Sequence, residues 1–402
     1  MRPAARRAAA SRATTATIGI ALLGATGCRP GAVWSALTPE LSSRLEVYGR
    51  GGKHCVRLRG LEQGCFDGVD VHSIAFDSAG EHAAYAVRVG ARWGIAVDGR
   101  AGPLFGAVGA PQLSPDGKHV AHAAEAAGGW VVVRNGVTGD PFDAVVTASL
   151  RFDRSGNHVA YVARRGAGMH VVLDSAVSPP WQTVGELVFG PTGTNAPALH
   201  FSARNWAGWL VVSAGRAAAV FDSVRALAVL PDGRPAYVAI ERGRESLVIG
   251  GDRGAAHQEI LTVAIGADGR SAYLARDDTS VAGYAADGRP FLQGALIDLA
   301  LGTAGRAAWV RAAGDRQEVV APGGTFVYDL VVAGTLQFLD DGATWTALVG
   351  DRARRKLHVV IDGRVTVRTV DWSELTRRVQ QGTGAEGLRS FVAAEARRSV
   401  AR

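Results

Sequence analysis

Ten histidines, three cysteines and nine tryptophans are the side chains of this chain with the most chemistry to offer. His82, His119 and His158 each stand two residues after a glycine (Gly80, Gly117, Gly156). One position seen three times is most economically an edge position of a repeat, not a metal site. His119 and His122 are three apart. On a strand that spacing sends side chains to opposite faces, so the two cannot share an ion as they would on a helix. The sequence has no His-Glu-x-x-His, no paired-cysteine cluster, no Gly-x-Ser-x-Gly elbow, no P-loop and no Asp-rich calcium loop. Asp98-Gly99, Asn135-Gly136 and Asp362-Gly363 recur at one position and read as tight hairpin turns, which need residues that tolerate positive φ. No catalytic residue, metal ligand or cofactor is therefore expected. Two tryptophans interrupt the regularity: Trp181 in VSPPWQTVGE and Trp206 in RNWAGW. Aromatic residues on loops of a rigid scaffold are usual places of contact, which makes Trp181 and Trp206 candidates for a binding rim. The alternative is that they fill gaps between structural units.

The elements that must position these residues follow from a repeat. Eight segments share an apolar strand, a turn ending in glycine, and a second strand: from Ile74, Pro111, Leu150, Leu187, Leu227, Val263, Leu299 and Leu336. The turn glycines are Gly80, Gly117, Gly156, Gly193, Gly233, Gly269, Gly305 and Gly342, and successive positions differ by 37, 39, 37, 40, 36, 36 and 37. An aromatic follows the turn in most units, as Tyr85, Tyr161, Tyr237, Tyr273, Trp309 and Trp345. A third, near-continuous apolar run comes next (WGIAV, WVVV, WLVV, LHVVI), the pattern of a strand buried on both faces. A weaker fourth strand often follows. Four short strands in about 37 residues make one propeller blade, and stacked blades bury both surfaces.

The turn SPDGK at Ser114–Lys118, with FDRSGNHVAYVA and LPDGRPAYVA, resembles the WD-like repeat of TolB-type β-propellers, over roughly residues 45–372. The resemblance implies an all-β propeller serving as an interaction platform. The N-terminal α/β domain of TolB has no counterpart here. The hairpin KHCVRLRG-LEQGCFDGV precedes the first complete unit and matches third and fourth strands. A strand from one terminus completing the blade of the other would give eight blades, with seven as the runner-up.

Residues 1–27 have a basic start (Arg2, Arg6, Arg7, Arg12), a weakly apolar run and small residues, the layout of a secretory signal too short to span a bilayer. Its end, LGATGC, resembles the bacterial lipobox, which implies a lipid on Cys28, a tether over 28–44, and, with Arg29 and not Asp after the cysteine, the periplasmic face of the outer membrane. With Cys28 acylated, Cys55 and Cys65 remain, an even pair suited to an oxidising compartment, and their hairpin sets them opposite each other as an expected disulfide. The formal charge of +7 sits at the ends: the four signal arginines leave +3, and the tail from Ser373 carries six Arg against three Glu. A near-neutral body offers no broad basic field for nucleic acid. The tail 373–402 shows an apolar stripe (Leu388, Phe391/Val392, Ala396, Val400) at helical spacing and reads as helical or disordered.

The expected function is a membrane-tethered interaction module of the envelope with a protein partner. Two other readings stand beside it: a propeller enzyme with its site at the channel mouth, and a structural envelope protein.

Overall fold

The computed structural model describes residues 33–37, 44–191, 198–339, 342–351, 353 and 356–370, and in the tail residues 389, 392–393 and 396–397. These form nine antiparallel sheets in chain order, spanning 33–66, 68–105, 112–138, 144–177, 183–217, 223–257, 259–294, 296–328 and 330–370. Within each sheet the strands pair in sequence order, so each is a meander; the ninth splits its first strand into Leu330–Val331 and Gln337–Phe338. First strands of neighbouring sheets touch along most of the array and so form the hub. Each sheet packs on the next, and the protein is a β-propeller of four-stranded blades.

The repeat chemistry explains the packing. Second strands such as Ala83–Val89, Val159–Arg165 and Trp345–Asp351 are buried on both faces over five residues. Small Ala and Val side chains allow close approach, and the aromatic fills the space toward the preceding sheet. It meets a second ring from that sheet's fourth strand or the connection after it: Phe66–Tyr85, Phe142–Tyr161 and Phe221–Tyr237 sit edge to face at centroid separations of 6.2–6.3 Å. Turn glycines Gly117, Gly156 and Gly342 sit against the preceding sheet. Gly117 has a φ of 72°, and a Cβ there would lie 2.4 Å from the His82 ring of the preceding sheet.

Inner strands are bulged, with register shifts at Asp70/Ala75, Val146/Arg151 and Arg225/Ala228 among others. A bulge frees backbone N–H groups. Hydroxyls accept them: Ala86 N donates to Ser73 Oγ at 2.7 Å, Val162 N to Ser149 Oγ at 2.8 Å and Leu348 N to Thr335 Oγ1 at 3.1 Å.

The expected eight blades, or seven, become nine sheets. Strands Val33–Leu37 and Arg44–Arg50 precede the hairpin that holds the cysteines and complete a sheet with it. The array therefore begins ahead of residue 45, inside the stretch read as tether. The ninth sheet likewise supplies its own last strand, Arg364–Val370, and borrows none from the N-terminus. Among the described residues, apolar clusters link each sheet to the next and none joins the ninth to the first. Instead Val392 and Ala396 of the tail, both fully buried, cover Leu348, Leu357 and Val359 on the ninth sheet's outer side. The described tail residues are helical. The outer side of the first sheet is polar: Arg57 lies 3.6 Å from Glu46, and Tyr48 donates to Glu62 at 2.6 Å.

Candidate interaction face

Antiparallel meanders sort their connections by face. Turns between first and second and between third and fourth strands emerge on one side of the disc. Hairpins between second and third strands, with the links to the next sheet, emerge on the other.

The first side carries His82, His119 and His158 and the Asp-Gly and Asn-Gly turns, and their polar groups are consumed locally. His82 Nδ1 lies 2.7 Å from Asp98 Oδ2 and His158 Nδ1 2.7 Å from Asp174 Oδ2, while Asn135 Nδ2 lies 2.7 Å from His119 Nδ1. The second carboxylate oxygens of Asp98 and Asp174 and the amide oxygen of Asn135 accept the Ala83, Val159 and Val120 N–H groups, each at 3.0 Å. The hydrogen bond to Asp98 holds the His82 imidazole above its ordinary pKa. His122 takes the aromatic position of its sheet against Phe105, and burial pushes its pKa down. One further trio, at a hairpin tip and not marked by the turn glycines, joins buried His257 and Tyr273 to a partly exposed Asp277. His257 Nδ1 is 2.7 Å from Asp277 Oδ2, and its Nε2 is 3.2 Å from the Tyr273 hydroxyl, which burial raises to about 12. It occupies the same inter-sheet position as Phe142 and Phe221, so it is a polar version of the ring pair. Among the described residues no three His, Cys, Asp or Glu side chains are grouped to hold a metal ion.

The opposite, hairpin side is built by a second recurrent device. In the second, fourth, sixth and seventh sheets a carboxylate or amide in the incoming link accepts the backbone N–H at the hairpin tip: Gly90 N to Asp67 at 2.7 Å, Gly166 N to Asp143 at 2.6 Å, Arg242 N to Asp222 at 2.7 Å and Asp278 N to Gln258 at 2.9 Å. The fifth sheet departs from this. Its tip, between strands Leu199–Asn205 and Gly208–Ser213, is held from within: Asn205 Oδ1 accepts the Ala207 and Gly208 N–H groups at 2.9 and 3.2 Å. This Asx turn projects Trp206, which is 89% exposed, the most exposed large apolar side chain among the described residues. Val220, 40% exposed, lies beside the tip: a Cβ on Gly208 would be 2.8 Å from its Cγ1.

The expected pair of rim tryptophans is thereby separated. Trp181 is not on a rim. It packs into the core between the fourth and fifth sheets, its ring 6.1 Å from Phe201, and its backbone bridges Met169 as Phe142 bridges Trp130 and Phe221 bridges Trp209. Trp181 is thus a repeat residue. The signal was present in Phe66-Asp67, Phe142-Asp143, Trp181-Gln182, Phe221-Asp222 and His257-Gln258, a ring followed by Asp or Gln. The prolines before Trp181 concealed it. Cys55 and Cys65 face each other across their hairpin and form a disulfide, S–S 2.05 Å, with an Arg50 guanidinium nitrogen 3.3 Å from Cys65 Sγ. Cys28 and the segment expected to be a signal lie outside the described residues.

No family model matches the chain, and no curated protein matches it in sequence. Solved structures similar in fold include a eukaryotic initiation factor (10% identity, 81% of this chain and 96% of that one, TM-score 0.46). Porphyromonas gingivalis dipeptidyl peptidase 4 is another (13%, 88% and 61%, 0.42), as is TolB from Acinetobacter baumannii (15%, 65% and 64%, 0.24).

Proposed function

We propose that this protein is a β-propeller tethered to the cell envelope by a lipid on Cys28 and that it acts by binding, not catalysis. The observation that carries this reading is the fifth-sheet hairpin: one fully projected tryptophan, held rigidly by Asn205, on a scaffold whose recurrent polar side chains are taken up in turns. A rigid exposed indole loses little conformational freedom on contact, which is what makes tryptophan a frequent anchor. The Cys28 lipid holds the protein at the membrane, Trp206 anchors the hairpin side to the envelope component it lies against, and an envelope protein is the partner expected of the rest of the propeller. The near-neutral body speaks against nucleic acid.

The test has two parts. Cys28→Ser should move the protein from the membrane to the soluble envelope fraction and abolish incorporation of labelled fatty acid. Trp206→Ala should weaken binding to envelope components by a factor of about 30, the order expected for a 2 kcal/mol anchor, at an unchanged melting temperature. Retention of Cys28→Ser on membranes, or unaltered binding by Trp206→Ala, would refute the corresponding half.

A further inference from the structure

We infer that the hairpin side of the disc is the side that lies on the bilayer, and that Trp206 is its contact with the membrane interface. The inference rests on the lipid reading of Cys28 and adds to it an orientation and a residue.

The argument begins with where the chain enters the fold. Strand Val33–Leu37 pairs antiparallel with Arg44–Arg50, with Val33 opposite Tyr48 and Leu37 opposite Arg44. Arg44–Arg50 runs into the hairpin tip at Gly51-Gly52, so its Tyr48 end belongs to the hairpin side. Val33 therefore enters on that same side, the one from which the fifth sheet projects Trp206. Five Cα–Cα steps separate Cys28 from Val33. Whatever their conformation, they span at most about 17 Å. The second strands are seven residues long, as in Leu199–Asn205, and stand about 20 Å from one side of the disc to the other. A tether that starts at the hairpin side and is shorter than the disc is thick cannot lay the turn-glycine side on the bilayer.

The chemistry of the hairpin side fits the contact. Trp206 and Val220 make an apolar spot at its surface, and an indole with an apolar body and one N–H donor is suited to the headgroup boundary. The Asx turn at Asn205 fixes the backbone that presents the ring, so contact orders only the two side-chain torsions of Trp206. At several tips a cation stands near an acid of the link, Arg92 near Asp67, Arg165 near Asp143 and Arg242 near Asp222, and the fifth tip carries the single cation Arg204 beside neutral Gln182. The contact is thus through the indole and not through a basic field, and its strength should vary little with the content of anionic lipid. With this side on the membrane, the turn-glycine side and the far mouth of the hub are left to a protein partner.

The test uses the full-length acylated protein in vesicles of phosphatidylethanolamine and phosphatidylglycerol whose acyl chains are brominated near the headgroup. Bromine quenches only tryptophans that reach the interface. Wild type should lose the share of emission that one tryptophan of nine contributes, beyond whatever Trp206→Phe loses, and the difference should persist as phosphatidylglycerol is lowered. Equal quenching of wild type and Trp206→Phe in vesicle-bound protein would overturn the orientation while leaving the tether intact. So would cross-linking of residue 206 to an envelope protein with its indole unquenched. Failure of the acylated protein to bind vesicles would overturn the tether, and the orientation with it.

Discussion

Val392 is the residue whose replacement interrogates the end of the array most directly. It is fully buried with Ala396 against Leu348, Leu357 and Val359, and the docked tail is further held by two hydrogen bonds of 2.7 Å, Arg389 Nε to the Gly334 carbonyl and Gln337 Nε2 to the Arg389 carbonyl. Val392→Ala removes two buried carbon groups at about 0.8 kcal/mol each. With a partly relaxed cavity the loss is about 2 kcal/mol. If the tail docks as a unit separate from global unfolding, the released population rises about 30-fold. Trypsin reads that population after Arg389, whose guanidinium is engaged with Gly334 in the docked state, because cleavage follows the open fraction when opening and closing are fast. Cleavage after Arg389 should therefore accelerate about 30-fold while the main unfolding transition shifts little. Val392→Asp should go further and release the tail outright, since a carboxylate is not buried there without a partner. Less than a threefold change with Val392→Ala would refute the reasoning. So would a fall in the main transition with no earlier cleavage, which would make the tail an integral part of the ninth sheet.

Two further outcomes follow from buried groups. Trp181→Ala should destabilise the protein by about 3 kcal/mol, the low end for a core tryptophan since its edge is half-buried, whereas Trp206→Ala should stay within about 0.5 kcal/mol; chemical denaturation of the pair measures the contrast. Asp298 is fully buried at the eighth–ninth sheet junction, and burial raises its pKa despite hydrogen bonds from the Leu299, Gly334 and Leu336 N–H groups and the nearby Arg389 charge. Its folded pKa lies above its unfolded value. Its contribution is therefore fully present below the unfolded value and is lost as pH rises through the folded one. Asp298→Asn should flatten the pH dependence of the urea midpoint across that interval, and an unchanged profile would show that Asp298 does not titrate with folding.

Much of this fold is legible in local chemistry. The turn glycines Gly80 and Gly117, the Asp98 and Asn135 hairpins and the Tyr85 and Tyr161 strands sit where their spacing puts them, because tight turns and doubly buried strands are demanded by φ and by burial within a few residues. The first sheet is legible only in its cysteine hairpin for the complementary reason: VWSAL and RLEVYGR are joined by a segment with no glycine turn, so only pairing with that hairpin defines them.

What the sequence by itself determined was the kind of unit, an all-β repeat of about 37 residues with ring-and-turn chemistry. What only the tertiary structure decided was the count of nine sheets among the described residues, the core packing of Trp181 beside the exposure of Trp206, and the shared side of Val33 and Trp206. The physical reason is that a turn is settled by its own backbone. The environment of a ring is settled by the register of its strand and by the neighbouring sheet, which no stretch of four to ten residues contains.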